Sequence, residues 1–140
     1  MRILFDTNVI FSAFAARGLA QAVFELCLEK HTIVISEHIL SELSAHLHKK
    51  LKMPDQKVRS IIDYLSESCF LGEEAPVRKN ACRDEDDLHI LGLAEKIRPN
   101  CISTGDEDLL VLRKYRSIPI LTLREFWEKE KKPRHFSRQP

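Results

Sequence analysis

Glycine is scarce, with four in 140 residues, and neither G-x-x-x-x-G-K-[ST] nor G-x-G-x-x-G occurs. The phosphate-cradling loops of nucleotide-cofactor proteins are therefore missing. The four cysteines, Cys27, Cys69, Cys82 and Cys101, stand far apart with no C-x-x-C. That spacing excludes a zinc ribbon and a secreted disulfide framework, and leaves reduced, buried thiols. No apolar run approaches the ~20 residues a membrane span needs. Asp6 interrupts the N-terminal run too early for a signal-peptide core, so no membrane partner and a cytoplasmic location are expected. Neither charge dominates: 22 Lys and Arg stand against 21 Asp and Glu. The balance hides a gradient, because Lys129, Lys131, Lys132, Arg134 and Arg138 gather at the end of the chain.

What is present is ordinary globular composition, 44% hydrophobic and 31% charged. A chain of this length buries roughly two-thirds of its unfolded surface as one domain. We expect a single domain over residues 1–130 and a basic, flexible tail over 131–140, with fraying beyond Lys132. Arg2-Ile3-Leu4-Phe5 reads as a buried strand ending abruptly at Asp6-Thr7-Asn8. Two helical stretches, 9–16 and 20–29, lead to a second β-branched run at 32–35. Ser36 caps a helix to about Leu51 with Ile39, Leu40, Leu43 and Leu47 along its core face, and Pro54-Asp55 starts another. Residues 69–71 form a short strand, 72–83 a polar connection, and the acidic quartet Asp84–Asp87 opens a helix. Strand 101–103, a helix from Asp108 to Arg113, strand 118–121 at a sheet edge because of Pro119, and a helix from Thr122 to Lys129 complete the chain. Phe126 and Trp127 on that last helix read as core or interface anchors.

Short apolar strands alternating with amphipathic helices describe an α/β domain with a parallel sheet. In such sheets ligands bind beyond the carboxyl ends of the strands. Carboxylates recur there: Asp6 after the first strand, Glu42 bordering the core face of the helix after the second, the quartet, then Asp106 and Asp108 after the fourth. Each taken singly could be a helix cap or a solvated side chain. Together they would repel unless a cation neutralised them. Hard oxygen donors, without thiolate or paired-histidine alternatives, select Mg²⁺ or Mn²⁺.

Asp6-Thr7-Asn8, Ser41-Glu42-Leu43, Asp84-Glu85-Asp86-Asp87 running to Ala94, and Thr104-Gly105-Asp106-Glu107-Asp108-Leu109 resemble, in order and spacing, the successive motifs of PIN domains. The likeness is greatest to the VapC-related toxins of toxin–antitoxin pairs, and it spans Arg2 to about Trp127. It implies a three-layer α/β/α sandwich with sheet order 3-2-1-4-5 and a divalent-metal-dependent endoribonuclease. It also implies an RNA substrate, an antitoxin partner and a homodimer. The family's acidic positions carry over to Asp6, Glu42, Asp87 and Asp106, as metal ligands and catalytic groups. Asp87 is chosen within the quartet because it stands seven residues before Ala94, with Asp86 its nearest competitor. Thr7, Asn8 and Thr104 match the family's small polar residues, and Asp108 is an outer ligand. Where a common family form has Pro in the quartet, this chain has Glu85.

Cations for an RNA rim are available in Lys49, Lys50 and Lys52, and in Arg113 and Lys114, although solvated helix surface explains each of them singly. His38, Glu42 and His46 recur every four residues, but they lack the H-E-x-x-H spacing of a zinc helix, and the other histidines show no ligand spacing. Three other readings compete with a toxin. One is an RNA-processing nuclease of the same type, and one is a PIN-like binding module without chemistry. The third is a receiver-like Mg²⁺-binding signalling domain, which wants paired acids after the first strand and a lysine after the last. Here Asp6 stands alone and the last strand runs into Thr122-Leu123-Arg124.

Overall fold

The computed structural model describes residues 1–132, so all but the first two residues of the basic tail expected over 131–140 lie outside the described residues. Among the described residues there are six strands: β1 (Arg2–Phe5), β2 (Thr32–Ile35), β3 (Phe70–Leu71), β4 (Cys101–Ser103), β5 (Lys114–Tyr115) and β6 (Ile118–Leu121). The helices are α1 (Thr7–Ala15), α2 (Leu19–Lys30), α3 (Glu37–Leu51), α4 (Asp55–Ser68), α5 (Leu88–Ile97), α6 (Glu107–Leu110) and α7 (Leu123–Lys131). They flank one sheet of order β3-β2-β1-β4-β6-β5. The five strands from β3 to β6 pair in parallel, which is the expected 3-2-1-4-5 order.

The centre of the sheet follows from its side chains. Ile3, Leu4 and Phe5 of β1 and Ile33, Val34 and Ile35 of β2 are buried at successive positions, as strands covered by helices on both faces must be. Phe5 packs against Phe24 of α2 at 6.0 Å and edge-on against Phe126 of α7 at 6.2 Å. Ser36 caps α3 as expected, its hydroxyl accepting from Ile39 N. Thr122 and Glu125 form a reciprocal capping box at the start of α7. Cys27, Cys82 and Cys101 are buried free thiols and Cys69 is half-buried. No single helix among the described residues is long and apolar enough to cross a membrane.

Two sequence expectations need correction. The helix read over 108–113 is a single turn, Glu107–Leu110, because the backbone enters the left-handed region at Arg113, with φ 64°. Nor is β6 the sheet edge. Lys114 and Tyr115 pair with it antiparallel through a two-residue connection, Arg116-Ser117, in which both φ values are positive, as in the turns that favour tight hairpins. The added strand is only two residues long because Arg113, in the left-handed region, gives its N–H to Leu110 O instead of extending the ladder. The strained turn is held from outside: Glu95 of α5 accepts from Tyr115 Oη at 2.8 Å and pairs with Arg116 Nε at 3.0 Å.

Gly92 fixes the 72–83 connection against α5. A Cβ there would lie 2.4 Å from the Ala75 carbonyl oxygen, and the Ala75 amide donates to Gly92 O at 3.0 Å. Backbone meets backbone, so no side chain can yield. Gly92→Ala should cost about 2–4 kcal/mol, as overpacking and a lost hydrogen bond combine. Urea unfolding reads this as a lower midpoint, and a midpoint within 0.2 M of wild type, an interval of about 0.4 kcal/mol at an ordinary urea slope, would show that the connection is not packed this way.

Candidate active site

β1 has β2 on one side and β4 on the other, so the winding of the chain reverses between β1 and β4. The residues that follow these two strands share the cleft such a reversal opens. Asp6 is the first residue beyond β1. Its N–H extends the ladder by donating to Ser103 O at 3.0 Å. Its carboxylate accepts from the Thr7 amide and from the Thr104 hydroxyl, each at 2.7 Å. Asp6 thus caps α1 while its second oxygen is aimed by a residue of the neighbouring strand. Thr104 is fully buried and in turn accepts from the Asp106 amide at 3.0 Å. Asp106 caps α6 by accepting from Asp108 N at 2.8 Å. Asp87 arrives from a short 3₁₀ turn, Glu85–Asp87, ahead of α5, and its side chain caps nothing.

Carboxylate oxygens of Asp6, Asp87 and Asp106 lie within 4.8 Å of one another, and oxygens of Asp84, Asp87 and Asp108 do so as well. Asp87 belongs to both groups. Crowding and burial show in the proton affinities. Burial holds the Asp6 carboxyl above its usual range against the opposing pull of the Thr104 and Thr7 hydrogen bonds. Asp87 is pushed up to about 8, first by burial and then by its contact with Asp106. Asp87 Oδ2 is buried without a hydrogen-bond partner among the described residues. Three clustered hard oxygen donors with one orphaned oxygen fit a divalent cation of the Mg²⁺ or Mn²⁺ kind.

Glu42 stands one step away and is in neither carboxylate group. Its Oε1 accepts from Thr7 Oγ1 at 2.7 Å, so Thr7 joins it to Asp6 through one backbone amide and one hydroxyl. Glu42, expected as a metal ligand and catalytic group, thus stands on α3 beside the three-carboxylate cluster rather than within it. Asp86, the competitor to Asp87, is exposed and stands outside both groups; Asp84 occupies the second one instead. Asp108 is in that second group, but Arg83 Nε holds it at 2.9 Å. Asn8 is exposed on the first turn of α1.

The expected rim splits in two. Lys49, Lys50 and Lys52 are exposed around the end of α3, with Lys50 Nζ 5.3 Å from the centre of the Phe11 ring. Arg113 and Lys114 are exposed beside the β5 hairpin. No ion pair joins either set to the carboxylates among the described residues. A cleft of about 750 Å³ opens between residues 76–81 and that hairpin, and Arg78, Asn80, Tyr115 and Arg116 line it.

Sequence reading missed His89 altogether. It lies two residues after Asp87, in the first turn of α5, buried, with Nε2 3.3 Å from Glu42 Oε1 and its ring stacked on His38 at 3.7 Å. The His38, Glu42 and His46 grouping does not form, since His46 turns edge-on to Phe11 at 5.9 Å. The period of four was visible in α3; the partner supplied by α5 was not.

Thr104 offers a direct check on this geometry. Thr104→Val keeps the shape but removes a donor to Asp6 and an acceptor for Asp106. It should lower stability by about 1–3 kcal/mol and Mn²⁺ affinity by about 10–100-fold. Thr104→Ser should restore most of both, measured by urea unfolding and by Mn²⁺ affinity. Equal losses in the two variants would show that the hydroxyl is not what matters.

The comparisons with known proteins agree with this architecture. The family described as the PIN domain matches residues 2–108. A search of the curated proteins finds no match. Among solved structures, a chain of the crystal structure of VapBC2 from Rickettsia felis bound to a DNA fragment from their promoter is similar in fold. The TM-score is 0.60 at 15% identity, over 86% of this chain and 97% of that one.

Proposed function

This chain belongs to the PIN-domain family, and from that premise we propose that it is a divalent-metal-dependent endoribonuclease that hydrolyses phosphodiester bonds in RNA. The single observation that carries the reading is the convergence of buried Asp6 and Asp87 with half-buried Asp106 where the winding of the sheet reverses. Mg²⁺ or Mn²⁺ held by these three residues would neutralise phosphate charge and make a water easier to deprotonate.

The chain's own residues do the rest. Asp6 is the rigid ligand, fixed by the β1 ladder and oriented by Thr7 and Thr104. Glu42, held by Thr7, takes the proton of the attacking water as its oxygen bonds to phosphorus. The bond to the leaving oxygen breaks, and that oxygen is protonated from solvent. Asp84 and Asp108, with Asp87, would hold a second ion and supply further charge neutralisation. Lys49, Lys50 and Lys52, together with Arg113 and Lys114, hold the RNA backbone at a distance from the acidic centre.

We place the enzyme in the cytoplasm, as a homodimer restrained by an antitoxin protein. An Arg or Lys of that partner, inserted among Asp6, Asp87 and Asp106, would replace the cation by charge-assisted hydrogen bonds. The structural neighbour described as VapBC2 is the support for this part of the reading. The receiver-like alternative is disfavoured by topology. Receiver-type sheets run 2-1-3-4-5, whereas here β4 pairs directly with β1.

The test is cleavage of unstructured single-stranded RNA in Mn²⁺ and in chelator, with a DNA oligonucleotide of the same sequence beside it. Growth on induced expression, with and without the neighbouring gene, separates the biological roles. Arrest that the neighbour relieves and Asp6→Ala abolishes supports a toxin. Strong cleavage in vitro without arrest favours an RNA-processing enzyme.

A further inference from the structure

Beside the carboxylate centre lies a second cluster of different chemistry. His38 comes from α3, His89 from α5, and Glu74 from the connection between β3 and α5. One nitrogen of each imidazole and a carboxylate oxygen of Glu74 lie within 4.8 Å of one another. His38 Nδ1 is 3.4 Å from Glu74 Oε2, and His38 Nε2 is 3.8 Å from Glu42 Oε2. Two stacked imidazoles are thus flanked by two carboxylates. Among the described residues, neither Glu42 nor Glu74 has a Lys or Arg ion-pair partner.

We propose that His38, His89 and Glu74 form a separate binding site for a zinc-class transition-metal dication, with Glu42 at its inner edge. Two independent observations point to a cation. The first is the pair of carboxylates closing around the rings without a basic side chain. The second is His89, which is nine-tenths buried and whose Nδ1 has no hydrogen-bond partner among the described residues. A buried imidazole nitrogen left without a hydrogen bond is costly as a bare polar group. Neutral imidazole is a ligand, and two imidazoles with carboxylate suit Zn²⁺ and its neighbours rather than Mg²⁺, whose preference is for oxygen. His38 is half exposed, so its ring can turn toward the ion while His89 stays fixed.

The site joins three segments far apart in the chain. The close approach of Ala75 to Gly92 is what carries Glu74 to the histidines. A bound ion would therefore clamp α3 to α5 next to Glu42, the residue assigned above to proton transfer. The inference does not depend on the nuclease reading, because its ligands are a different set.

The experiment is a Zn²⁺ titration against a chromophoric chelator, in the full chain carrying Asp6→Asn, Asp87→Asn and Asp106→Asn so that both carboxylate groups, which share Asp87, are disabled. One Zn²⁺ per chain should bind, with Mg²⁺ at a hundredfold excess failing to displace it. His38→Ala and Glu74→Ala, both at exposed positions that the fold tolerates, should each weaken binding at least tenfold. Unchanged affinity in both variants would overturn the proposal, as would competition by Mg²⁺ or the absence of Zn²⁺ binding. Binding that requires Asp6 and Asp106 would place the ion in the carboxylate centre and overturn it too. Mn²⁺-dependent RNA cleavage by the wild type is read separately, so loss of the nuclease reading leaves the zinc result standing, and the reverse.

Discussion

Asp6→Asn and Asp106→Asn should each lower RNA cleavage at least about a thousandfold, close to 4 kcal/mol of transition-state stabilisation, while leaving the protein folded. The two halves of this result come from the same atoms. Each carboxylate belongs to the three-carboxylate cluster proposed to hold the cation, and each also accepts a backbone N–H at a helix start. Asparagine keeps the side-chain oxygen that caps and removes the charge that binds a cation. Glu42→Gln should be milder, at about 10–100-fold, because a general base contributes less than the cation it works beside. Single-turnover cleavage of a labelled RNA, with thermal melts of the same samples, measures both quantities. Activity within tenfold of wild type for Asp6→Asn would remove the carboxylate cluster from the mechanism.

The second large effect concerns the protein without metal. Asp87 is held at about 8 in the folded chain, and an unfolded aspartate titrates near ~3.9. The folded state therefore binds this proton more tightly. Its stabilising contribution is complete below about pH 4 and is lost as pH rises through the folded value near 8. Asp6, raised in the same direction by burial, adds to the slope. In chelator, the melting temperature should fall from pH 5 to pH 8. Asp87→Asn should flatten that fall and melt roughly 3–10 °C higher than wild type at pH 8. Millimolar Mn²⁺ should raise the wild-type melt most at pH 8 and leave Asp87→Asn nearly unchanged. Parallel melting curves for the two proteins across this range would mean that Asp87 does not carry the strain.

The parts of the fold that were legible in sequence are those where local pattern and burial coincide. Ile3-Leu4-Phe5 and Ile33-Val34-Ile35 are buried at every position, so their apolar runs reported central strands directly. Ser36 and Thr122 announced their helices because caps are local chemistry. The β5 hairpin stayed hidden because Arg116-Ser117 occupies a turn that usually advertises itself with Asn-Gly. It is tolerated only through Glu95, some twenty residues upstream. In the site, Asp6 and Asp106 followed from strand ends. The displacement of Glu42 and the presence of His89 and Arg83 depend on how α3, α5 and α6 meet, and spacing within one helix carries no record of that.

The doubling of cap and ligand at Asp6 and Asp106 changes how such a sequence should be screened. In a randomised library selected for solubility alone, positions 6 and 106 would return Asp, Asn, Ser and Thr, because any of these can cap a helix start. Position 87 would return Asn or an apolar residue and shed its carboxylate, since that side chain caps nothing and keeps one buried oxygen without a partner. Selection for hydrolysis would restore Asp at all three. Genotyping position 87 alone would therefore tell survivors that merely fold from survivors that still cut.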